Sequence, residues 1–386
     1  MPKLIRITTV PMALRYLLPG QPKYMQQQGF DVLLVSADGP ELKEVLANEG
    51  CPHSIVPLTR QITPFKDLAC LWQMIRLFKK HKPDIVHTHT PKAGLIGMLA
   101  AKLAGVPIRI HTVAGMPLMV EKGAKYQLLK FIEKLTYWAA NHVWPNSKSL
   151  YQFIVQHRLA PVKKLQVIGK GSSNGINLDR FNAAAIDPAI LEQAKQQIQW
   201  QADCQYILCV GRLVKDKGIA ELVNIFTQLQ AERPQLRLVL VGQYEPELDP
   251  LPGETLALIN SNPAIISVGW SNEVPAFMQL AHLFVFPSHR EGFPNVLLQA
   301  AAMQLPIVCS AIAGNVDIVV DGQTGLLFAP GSEQALLAQT GFALQNPEKM
   351  QEMAQKLYTE VQQFYRQQNV WATIHAEYVL LLNNNK

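Results

Sequence analysis

The chain has 386 residues, 48% of them hydrophobic and 17% charged, and this length suggests two domains with cores of ordinary size. It contains no uninterrupted apolar run of about 18 residues, so we expect no transmembrane helix. The first residues read as a strand, so we also expect no signal peptide. The five cysteines form no CxxC pair, which argues against a zinc site or a disulfide framework and is typical of a reducing cytosol.

Charge is unevenly distributed along the sequence. Residues 1–180 hold 24 Lys and Arg against 10 Asp and Glu, a balance of +14, which leaves −8 for the remainder of a chain with net charge +6. A basic half predicts an anionic partner. Because no recognition-helix, RNP or zinc-finger pattern is present, we expect no nucleic acid. An anionic membrane surface or a phosphate-bearing acceptor is the expected partner.

The first half of the chain alternates strands with helices. Strand patterns occur at 3–9, 31–36, 54–58, 84–89 and 108–113. A loop running into a helix occupies 12–28, and helix patterns follow at 40–49, 67–81 and 93–105. This alternation predicts βαβ units and a parallel sheet with helices on both faces.

The pattern restarts after a polar, Gln-rich stretch at 181–203, which we interpret as a linker. Strand patterns occur at 206–211, 236–242, 264–270, 282–288 and 305–310, with a helix at 218–231. The sequence therefore predicts two doubly wound α/β domains, 1–190 and 200–360, and a helical segment at 361–386. Ligands bind beyond the carboxyl ends of parallel strands, so the loops after 9, 89, 113, 211, 242, 270 and 288 are expected to line a cleft.

One stretch, 286–306, combines the end of a strand, a polar turn and the start of a helix. Its turn carries Glu291, and the amide groups from Phe293 to Val296 would face an anion above the turn, apart from Pro294, which has no N–H. Gln299 lies about two helical turns beyond Glu291, on the same side. The alternatives are a carboxylate that interacts only with the helix dipole and a glutamine chosen as a helix former.

A second stretch opens the second domain with a strand, Gly211-Arg212, and Lys217 directly before a helix. Two cations and free amide groups together suit a diphosphate, because Arg clamps two oxygens and Lys supplies a compact charge. The alternative is a solvated, charged loop.

Together, the Arg-x4-Lys spacing and the Glu-Gly-Phe turn with a polar residue eight positions after its Glu resemble the family-four retaining glycosyltransferases of the GT-B fold. The resemblance implies two Rossmann-like domains facing across a cleft, with the C-terminal helix crossing back to the first domain. It implies metal-independent catalysis without a cofactor. Glu291 would contact the donor sugar, Arg212 and Lys217 would stabilise the leaving diphosphate, and Gln299 replaces the second Glu of the family at the ribose. The implied donor-binding set also includes Gly211, Gly269, Gly292, Phe293, Pro294, Asn295 and Val296.

The first domain, from HTHTPKAGLIGMLAAKLAG to IGKGSSNGINLDRF, resembles the lipid-linked-sugar transferases of bacterial capsule and O-antigen assembly; its first loop lacks the Gly pair common in the family. In the family, a His at the end of the strand 108–113 faces the donor sugar, which implies a catalytic-site role for His111; the alternative is a core histidine. We place His87 and His89 on opposite faces of their strand. No carboxylate or cysteine cluster accompanies these histidines, so we expect no metal. The predicted acceptor side comprises Pro11, Met12, His89, Lys92, Gly115, Lys122 and Lys125.

Residues 119–138 place apolar and aromatic side chains at near-helical spacing among lysines. This pattern by itself fits an amphipathic helix packed on the sheet, and the basic charge of the first half favours instead a helix that lies on an anionic bilayer.

These features predict a retaining hexosyl- or N-acetylhexosaminyltransferase. It would move a sugar from a nucleotide diphosphate sugar, with UDP as the expected nucleotide, to a polyprenyl-diphosphate-linked glycan in capsule or lipopolysaccharide synthesis. The expected location is cytoplasmic, peripheral on the inner face of the cytoplasmic membrane. Two alternatives are a nucleotide-sugar 2-epimerase and a non-catalytic nucleotide-sugar-binding subunit, to which Gln299 points. A dinucleotide oxidoreductase is disfavoured because no G-x-G-x-x-G follows the first strand of either domain.

Overall fold

The structure, a computed structural model, describes residues 1–61, 63–119, 121–247 and 249–385. Contacts divide the chain into two compact units. Unit 1 combines Met1–Gly175 with the chain from Gln367 onward, and unit 2 is Ile176–Arg366.

Unit 1 contains a parallel sheet whose described strands lie in the order β3-β2-β1-β4-β5-β6. Its strands are β1 Lys3–Ile7, β2 Asp31–Ser36, β3 His53–Ile55, β4 Ile85–His89, β5 Ile108–Val113 and β6 His142–Pro145. Its helices are α1 Pro11–Leu17, α2 Gln21–Gln27, α3 Leu42–Glu49, α4 Pro64–His81, α5 Pro91–Leu103, α6 Gly123–Ala139 and α7 Lys148–Gln156. Because the strand order reverses between β1 and β4, the unit is doubly wound.

Unit 2 repeats this plan, with the described strands in the order β12-β11-β10-β7-β8-β9. Its strands are β7 Gln205–Val210, β8 Leu236–Val241, β9 Ile265–Gly269, β10 Leu283–Phe286, β11 Ile307–Ser310 and β12 Leu326–Phe328. Its helices are α8 Pro188–Gln197, α9 Ile219–Glu232, α10 Gly253–Ser261, α11 Val274–Leu280, α12 Asn295–Ala302, α13 Glu333–Gln345 and α14 Pro347–Glu360. The two predicted parallel sheets are confirmed, and β7 lies between β10 and β8.

The last helix, α15 Gln367–Asn384, belongs to unit 1, as predicted. Its Tyr378 is fully buried and accepts a hydrogen bond from Arg6 Nη1 at 3.1 Å, and its Trp371 Nε1 donates to Asn174 Oδ1 at 2.6 Å. The helix begins later than the predicted 361, because 361–365 form a π-helical turn within unit 2 and Arg366 is extended, with ψ 133°. Lys386 lies outside the described residues.

The stretch 181–203, interpreted above as a linker, is instead part of unit 2. Phe181, Ala194 and Ile198 are buried in the same core cluster as Tyr206 of β7. The Gln-rich composition belongs to α8, most of whose residues are half-buried or exposed and which has one buried residue, Ala194. Unit 1 therefore ends at Gly175, before the predicted boundary at 190.

Helices cover both faces of the sheet in unit 1. The core on one face is formed with α4 to α7, and the core on the other face with α1 to α3 and α15. Within the described ranges, no helix is both long enough and apolar enough to cross a bilayer. The predicted helix at 119–138 is α6, which begins at Gly123, and Val120 lies outside the described residues.

One acidic side chain of α6 points into the core of unit 1. Glu133 is 7% exposed, and burial raises its pKa from 4.5 to about 7. The folded state therefore binds this proton more tightly than the unfolded state does. Between the unfolded and folded pKa values, stability falls as pH rises, because the carboxyl ionises in the unfolded chain but stays protonated in the core.

We expect Glu133→Gln to raise the free energy of unfolding by up to about 3 kcal/mol at pH 8 and by less than about 1 kcal/mol at pH 5, because the amide cannot ionise. Thermal and urea unfolding at both pH values measure the difference. Glu352→Gln, an exposed substitution on α14, is the control. An equal shift of stability at pH 5 and pH 8 contradicts the assignment.

Candidate functional site

Two loops meet at the carboxyl edge of the unit 2 sheet. β7 and β10 are neighbouring parallel strands, with Leu283 paired to Ile207. The loop after β7 ends in a 3₁₀ turn, Lys215–Lys217, that leads into α9, and the loop after β10 leads into α12. Parallel topology places both loops at the same edge, which is where ligands bind in such sheets.

Glycines allow the loop after β7 to touch both neighbours. Gly218 has φ +67°, and a Cβ atom there would lie 2.2 Å from the carbonyl oxygen of Pro287, at the end of β10. On the other side, a Cβ atom at Gly242 would lie 1.7 Å from the carbonyl oxygen of Gly211. Only glycine permits either approach. The first approach sets Lys217 directly beside the turn that follows β10.

Lys217, Ser288 and Glu291 form a half-buried polar cluster. The Lys217 ammonium donates to Glu291 Oε1, and Ser288 Oγ donates to the same oxygen at 2.9 Å. The Lys217 and Glu291 side chains are 13% and 16% exposed. The Ser288 carbonyl accepts from Ser310 Oγ at 2.5 Å, which ties the turn to β11. The cluster therefore contains a cation and a carboxylate, and contacts from the ends of three strands, β7, β10 and β11, fix their positions.

Two further side-chain contacts, an ion pair and a hydrogen bond, connect the same segments. Arg290 Nη2 donates to Asp216 Oδ2 at 2.9 Å, and His289 Nε2 lies 2.8 Å from Glu221 Oε1. Three successive residues of the turn are thus bound to the segment that starts α9. We call these two contacts the flanking pairs. They restrain the two turn residues that directly precede Glu291.

Arg212 does not join this cluster, although we predicted one pocket for both cations. Its Nη1 lies 2.7 Å from Glu245 Oε2, in the loop after β8, and both side chains are substantially exposed. The reason is the sheet order: β7 lies between β10 and β8. Lys217 therefore contacts the loop on one side of β7 and Arg212 contacts the loop on the other side.

The remaining predicted donor residues lie around the turn and along α12. The helix begins at Asn295, with Pro294 at its cap and no side-chain cap, so no side chain occupies its first N–H groups. Phe293 precedes the helix and is buried against Tyr365, at a centroid distance of 5.6 Å. Of the other predicted donor-binding residues, Gly292 is buried in the turn, and Val296 and Gln299 are half-buried on α12. Gly269 ends β9, two strands from β7.

In unit 1, the prediction for His87 and His89 is wrong. Residues two apart in a strand share a face, and the two ring centroids lie 4.3 Å apart. His87 Nδ1 lies 2.5 Å from Tyr378 Oη, and His89 Nε2 accepts from Arg6 Nη2 at 2.9 Å. Burial lowers both histidine pKa values well below the usual range, so both rings are neutral at pH 7. His87 thus contacts α15 directly, and His89 is linked to it through Arg6, which also donates to Tyr378.

His111 occupies the position of a core histidine, the alternative stated above. It is 3% exposed, and its Nδ1 lies 2.8 Å from Thr88 Oγ1. A Cβ atom at Gly94 would lie 2.3 Å from His111 Cε1, so α5 closes over the ring. Burial lowers the His111 pKa to about 4. A contact with a bound sugar requires this ring to become accessible.

The predicted acceptor-side residues do not form one cluster among the described contacts. Lys92 is committed to Asp67, with both carboxylate oxygens within 2.7 Å of its Nζ. Lys125 is exposed and pairs with Glu121 at 2.5 Å. Four others are placed separately: Pro11 begins α1, Met12 is exposed on it, Gly115 follows β5 and exposed Lys122 precedes α6.

The partners that position Glu291 were not predicted from the sequence. Asp216 and Lys217 face Arg290 and Glu291, so two adjacent residues of opposite charge meet two others in matching order. Complementary charged pairs directly after two strands were visible in the sequence. To predict that these pairs meet, one must know that β7 and β10 are neighbours in the sheet. The sequence does not show this, because β8 and β9 lie between them along the chain.

Within the described part of the chain, no group of three or more His, Cys, Asp or Glu side chains is arranged to hold a metal ion. The cations of the described ion pairs at this edge are Lys217, Arg290 and Arg212.

Known proteins resemble this chain over both units. The model of the glycosyl transferase 4-like domain matches residues 22–171, and that of the glycosyl transferases group 1 matches residues 191–360. The capsular polysaccharide biosynthesis glycosyltransferase CapM of Staphylococcus aureus is 34% identical over 385 residues, which cover 100% of this chain and 98% of that protein. The UDP-Gal:alpha-D-GlcNAc-diphosphoundecaprenol alpha-1,3-galactosyltransferase of Escherichia coli is 28% identical, covering 78% of this chain and 77% of that protein.

Solved structures share the fold. A glycosyltransferase from Rickettsia africae has a TM-score of 0.80 at 18% identity, with 99% of each chain covered. HepE of Anabaena, solved in complex with UDP, has a TM-score of 0.79 at 18% identity, with 98% of this chain and 99% of that chain covered. The extent of the match to CapM and the two family models agree with the architecture of two parallel sheets. The chain therefore belongs to the family-four glycosyltransferases of the GT-B fold, and it is a glycosyltransferase.

Proposed function

We propose that the chain transfers a sugar from a UDP-sugar to a polyprenyl-diphosphate-linked glycan during synthesis of a surface polysaccharide such as a capsule. The observation that carries this proposal is the cluster of Lys217, Ser288 and Glu291 at the carboxyl edge of the unit 2 sheet. It combines a positioned cation for a leaving phosphate with a positioned carboxylate for a sugar.

Lys217 is suited to bind the diphosphate of the donor. Its ammonium is held within the site by Glu291 and lies 3.4 Å from Ser288 Oγ. A bound diphosphate would compete with Glu291 for this cation and would free carboxylate oxygens for sugar hydroxyls. Arg212, which is exposed and paired with half-buried Glu245, would supply the second cation when it exchanges that partner for phosphate. We therefore propose that transfer needs no metal ion or other cofactor.

The proposed chemistry is displacement on the face from which the leaving group departs, with retention at the anomeric carbon. The bond from that carbon to the diphosphate oxygen breaks, and a bond to the acceptor oxygen forms. The acceptor hydroxyl proton passes to the departing diphosphate. Lys217 and Arg212 stabilise the negative charge on the leaving group, and Glu291 favours positive charge on the sugar. This route needs no second carboxylate as a nucleophile.

The relatives support the proposed donor and acceptor classes. The Escherichia coli relative is named for UDP-Gal and a diphosphoundecaprenol acceptor, and a Campylobacter jejuni relative, 27% identical over 77% of this chain, is named for a diphospho-undecaprenol acceptor. CapM is named for capsular polysaccharide biosynthesis. A lipid-linked acceptor places the proposed reaction at a membrane surface. We propose a peripheral location on the inner face of the cytoplasmic membrane and no nucleic-acid partner.

Removal of either charge of the cluster should abolish most transfer. We expect Lys217→Met and Glu291→Gln each to lower kcat/KM about 10²–10³-fold, as loss of a positioned electrostatic contact does. Transfer from a panel of UDP-sugars to an undecaprenyl-diphosphate-linked saccharide measures the effect. Lys356→Glu on α14 is the control. Glu291→Gln should retain UDP binding.

Three outcomes contradict the proposal in different ways. Full activity of Glu291→Gln removes the carboxylate from the chemistry. Isomerised sugar produced from the donor alone indicates the 2-epimerase. UDP-sugar binding by the wild type, without transfer to any lipid-linked acceptor, indicates the non-catalytic binding subunit.

The flanking pairs should control the position of Glu291. We expect Asp216→Asn to lower kcat about tenfold with a smaller change in the donor KM, because the turn loses a restraint and keeps its ligand groups. Arg290→Gln should give a similar loss, and the double variant should be no worse than either, since both remove one contact. Glu192→Gln, which breaks the 2.6 Å pair with Lys195 on α8, is the matched control. Additive losses in the double variant contradict a shared contact.

Gln299 should bind the nucleotide ribose through hydrogen bonds that do not need charge. We expect Gln299→Glu to keep UDP affinity within about threefold, because a carboxylate also accepts from ribose hydroxyls. Gln299→Ala should weaken it about 3–10-fold, the value of one hydrogen bond. Calorimetric titration with UDP measures both. Equal affinity of wild type and Gln299→Ala shows that this side chain does not contact the nucleotide.

A further inference from the structure

The outward side of α4 in unit 1 is unusually apolar. Phe65, Leu68 and Trp72, which are spaced to share one side of the helix, are 91%, 54% and 59% exposed. The opposite side of α4, with Cys70, Met74 and Phe78, is buried in the core. The exposed apolar residues of α4 therefore do not belong to the hydrophobic core of unit 1.

The outward side of α6 has the same character. Leu128, Phe131 and Trp138 are 47%, 63% and 57% exposed, whereas Glu133 and Tyr137 face the core. Helix α6 thus buries one side and exposes a second apolar side to solvent.

The helix between them connects these two sides. α5 packs against both α4 and α6, and its Leu103 is 63% exposed at the end of a stripe formed with half-buried Leu95 and Leu99. Lys102 Nζ on α5 lies 4.3 Å from the centroid of the Trp138 ring on α6, so this contact links the two helices. We call the outward sides of α4, α5 and α6 the three-helix face. Its exposed apolar residues mark an interaction site, since monomeric proteins rarely expose so many together.

The charges on this face identify the partner. Four Lys or Arg residues lie on α4, two on α5 and three on α6, against Asp67 and Glu133. Asp67 is bound by Lys92, Glu121 just before α6 is paired with Lys125, and Glu133 is buried. The uncompensated charge is therefore positive. A second copy of this chain, docked by the same face, would oppose these cations to themselves, which disfavours a two-fold dimer.

We propose that the three-helix face docks on an anionic lipid bilayer. Phe65, Trp72 and Phe131 enter the interface between headgroups and acyl chains, and the surrounding lysines contact lipid phosphates. Aromatic rings and lysines on one surface match the interfacial region, and each Lys or Arg near an anionic leaflet contributes about 1 kcal/mol. This inference rests on the proposed function in one respect, since a polyprenyl-linked acceptor lies in such a bilayer.

The test is vesicle flotation of the full chain with phosphatidylcholine vesicles and with phosphatidylcholine–phosphatidylglycerol vesicles. We expect binding to the anionic vesicles that weakens as salt rises, and little binding to the neutral ones. Phe65→Ser combined with Trp72→Ser should lower the apparent vesicle affinity at least tenfold, because burial of even one large apolar side chain contributes about that factor. Lys130→Glu combined with Lys134→Glu should lower binding to anionic vesicles alone.

Matched controls are Trp270→Ser, an exposed tryptophan of unit 2, and Lys356→Glu on α14. Neither should change vesicle binding, and all variants should unfold near the wild-type temperature, because the substituted side chains are exposed apart from that of Lys130, which is half-buried. Absence of wild-type binding to anionic vesicles overturns the inference, as does equal binding by the face variants. Concentration-dependent dimers that Trp72→Ser abolishes, measured by light scattering, indicate a protein partner and also overturn it.

A transfer assay separates this inference from the proposed function. With an acceptor whose lipid is short enough to be water-soluble, the face variants should transfer at the wild-type rate. A wild-type protein that transfers sugar but binds no vesicle contradicts the docking surface only. A wild-type protein that binds vesicles but transfers no sugar contradicts the proposed function only.

Discussion

The site in unit 2 depends on one close backbone approach, that of Gly218 to the carbonyl of Pro287. Without it, the start of α9 could not lie against the end of β10, and Lys217 could not reach Glu291. The approach joins loops that follow neighbouring parallel strands, so the ion pair is a consequence of sheet order. Its half-burial increases the attraction between the charges above that of an exposed pair. The same half-burial leaves both groups within reach of a ligand.

Local sequence patterns predicted most strands and the helices that they flank, because buried parallel strands read as apolar runs bounded by turns. They also identified Lys217 and Glu291 separately. They did not indicate which loops meet. We predicted one pocket for Arg212 and Lys217 because they are only five residues apart in the sequence. Their side chains nevertheless point toward different neighbours of β7. The order of strands, which depends on long-range pairing, decides this direction.

The histidines of unit 1 illustrate a second limit of the sequence. His87 contacts Tyr378, a residue 291 positions away, and His89 contacts the fully buried Arg6. Such a network forms only when α15 packs on the sheet, and nothing near His87 in the sequence indicates this. Burial lowers the pKa of each histidine, so their hydrogen bonds are those of neutral rings. The position of a histidine on its strand therefore did not indicate whether the side chain binds a ligand or stabilises the fold.

Helix α6 shows why the two interpretations of residues 119–138 were not alternatives. A helix packed on a sheet needs one apolar side, and so does a helix that lies on a bilayer. The two interpretations excluded each other only if residues 119–138 formed a helix with a single apolar side. The structure has two: Tyr137 packs inward, and Phe131 points outward. Glu133 lies on the inner side, where its ionisation costs stability, whereas Lys130 and Lys134 lie around the outer side. Placing an acid inside and bases outside raises the positive potential of the outer side. Packing in the core and attraction to an anionic surface thus follow from the same arrangement of side chains.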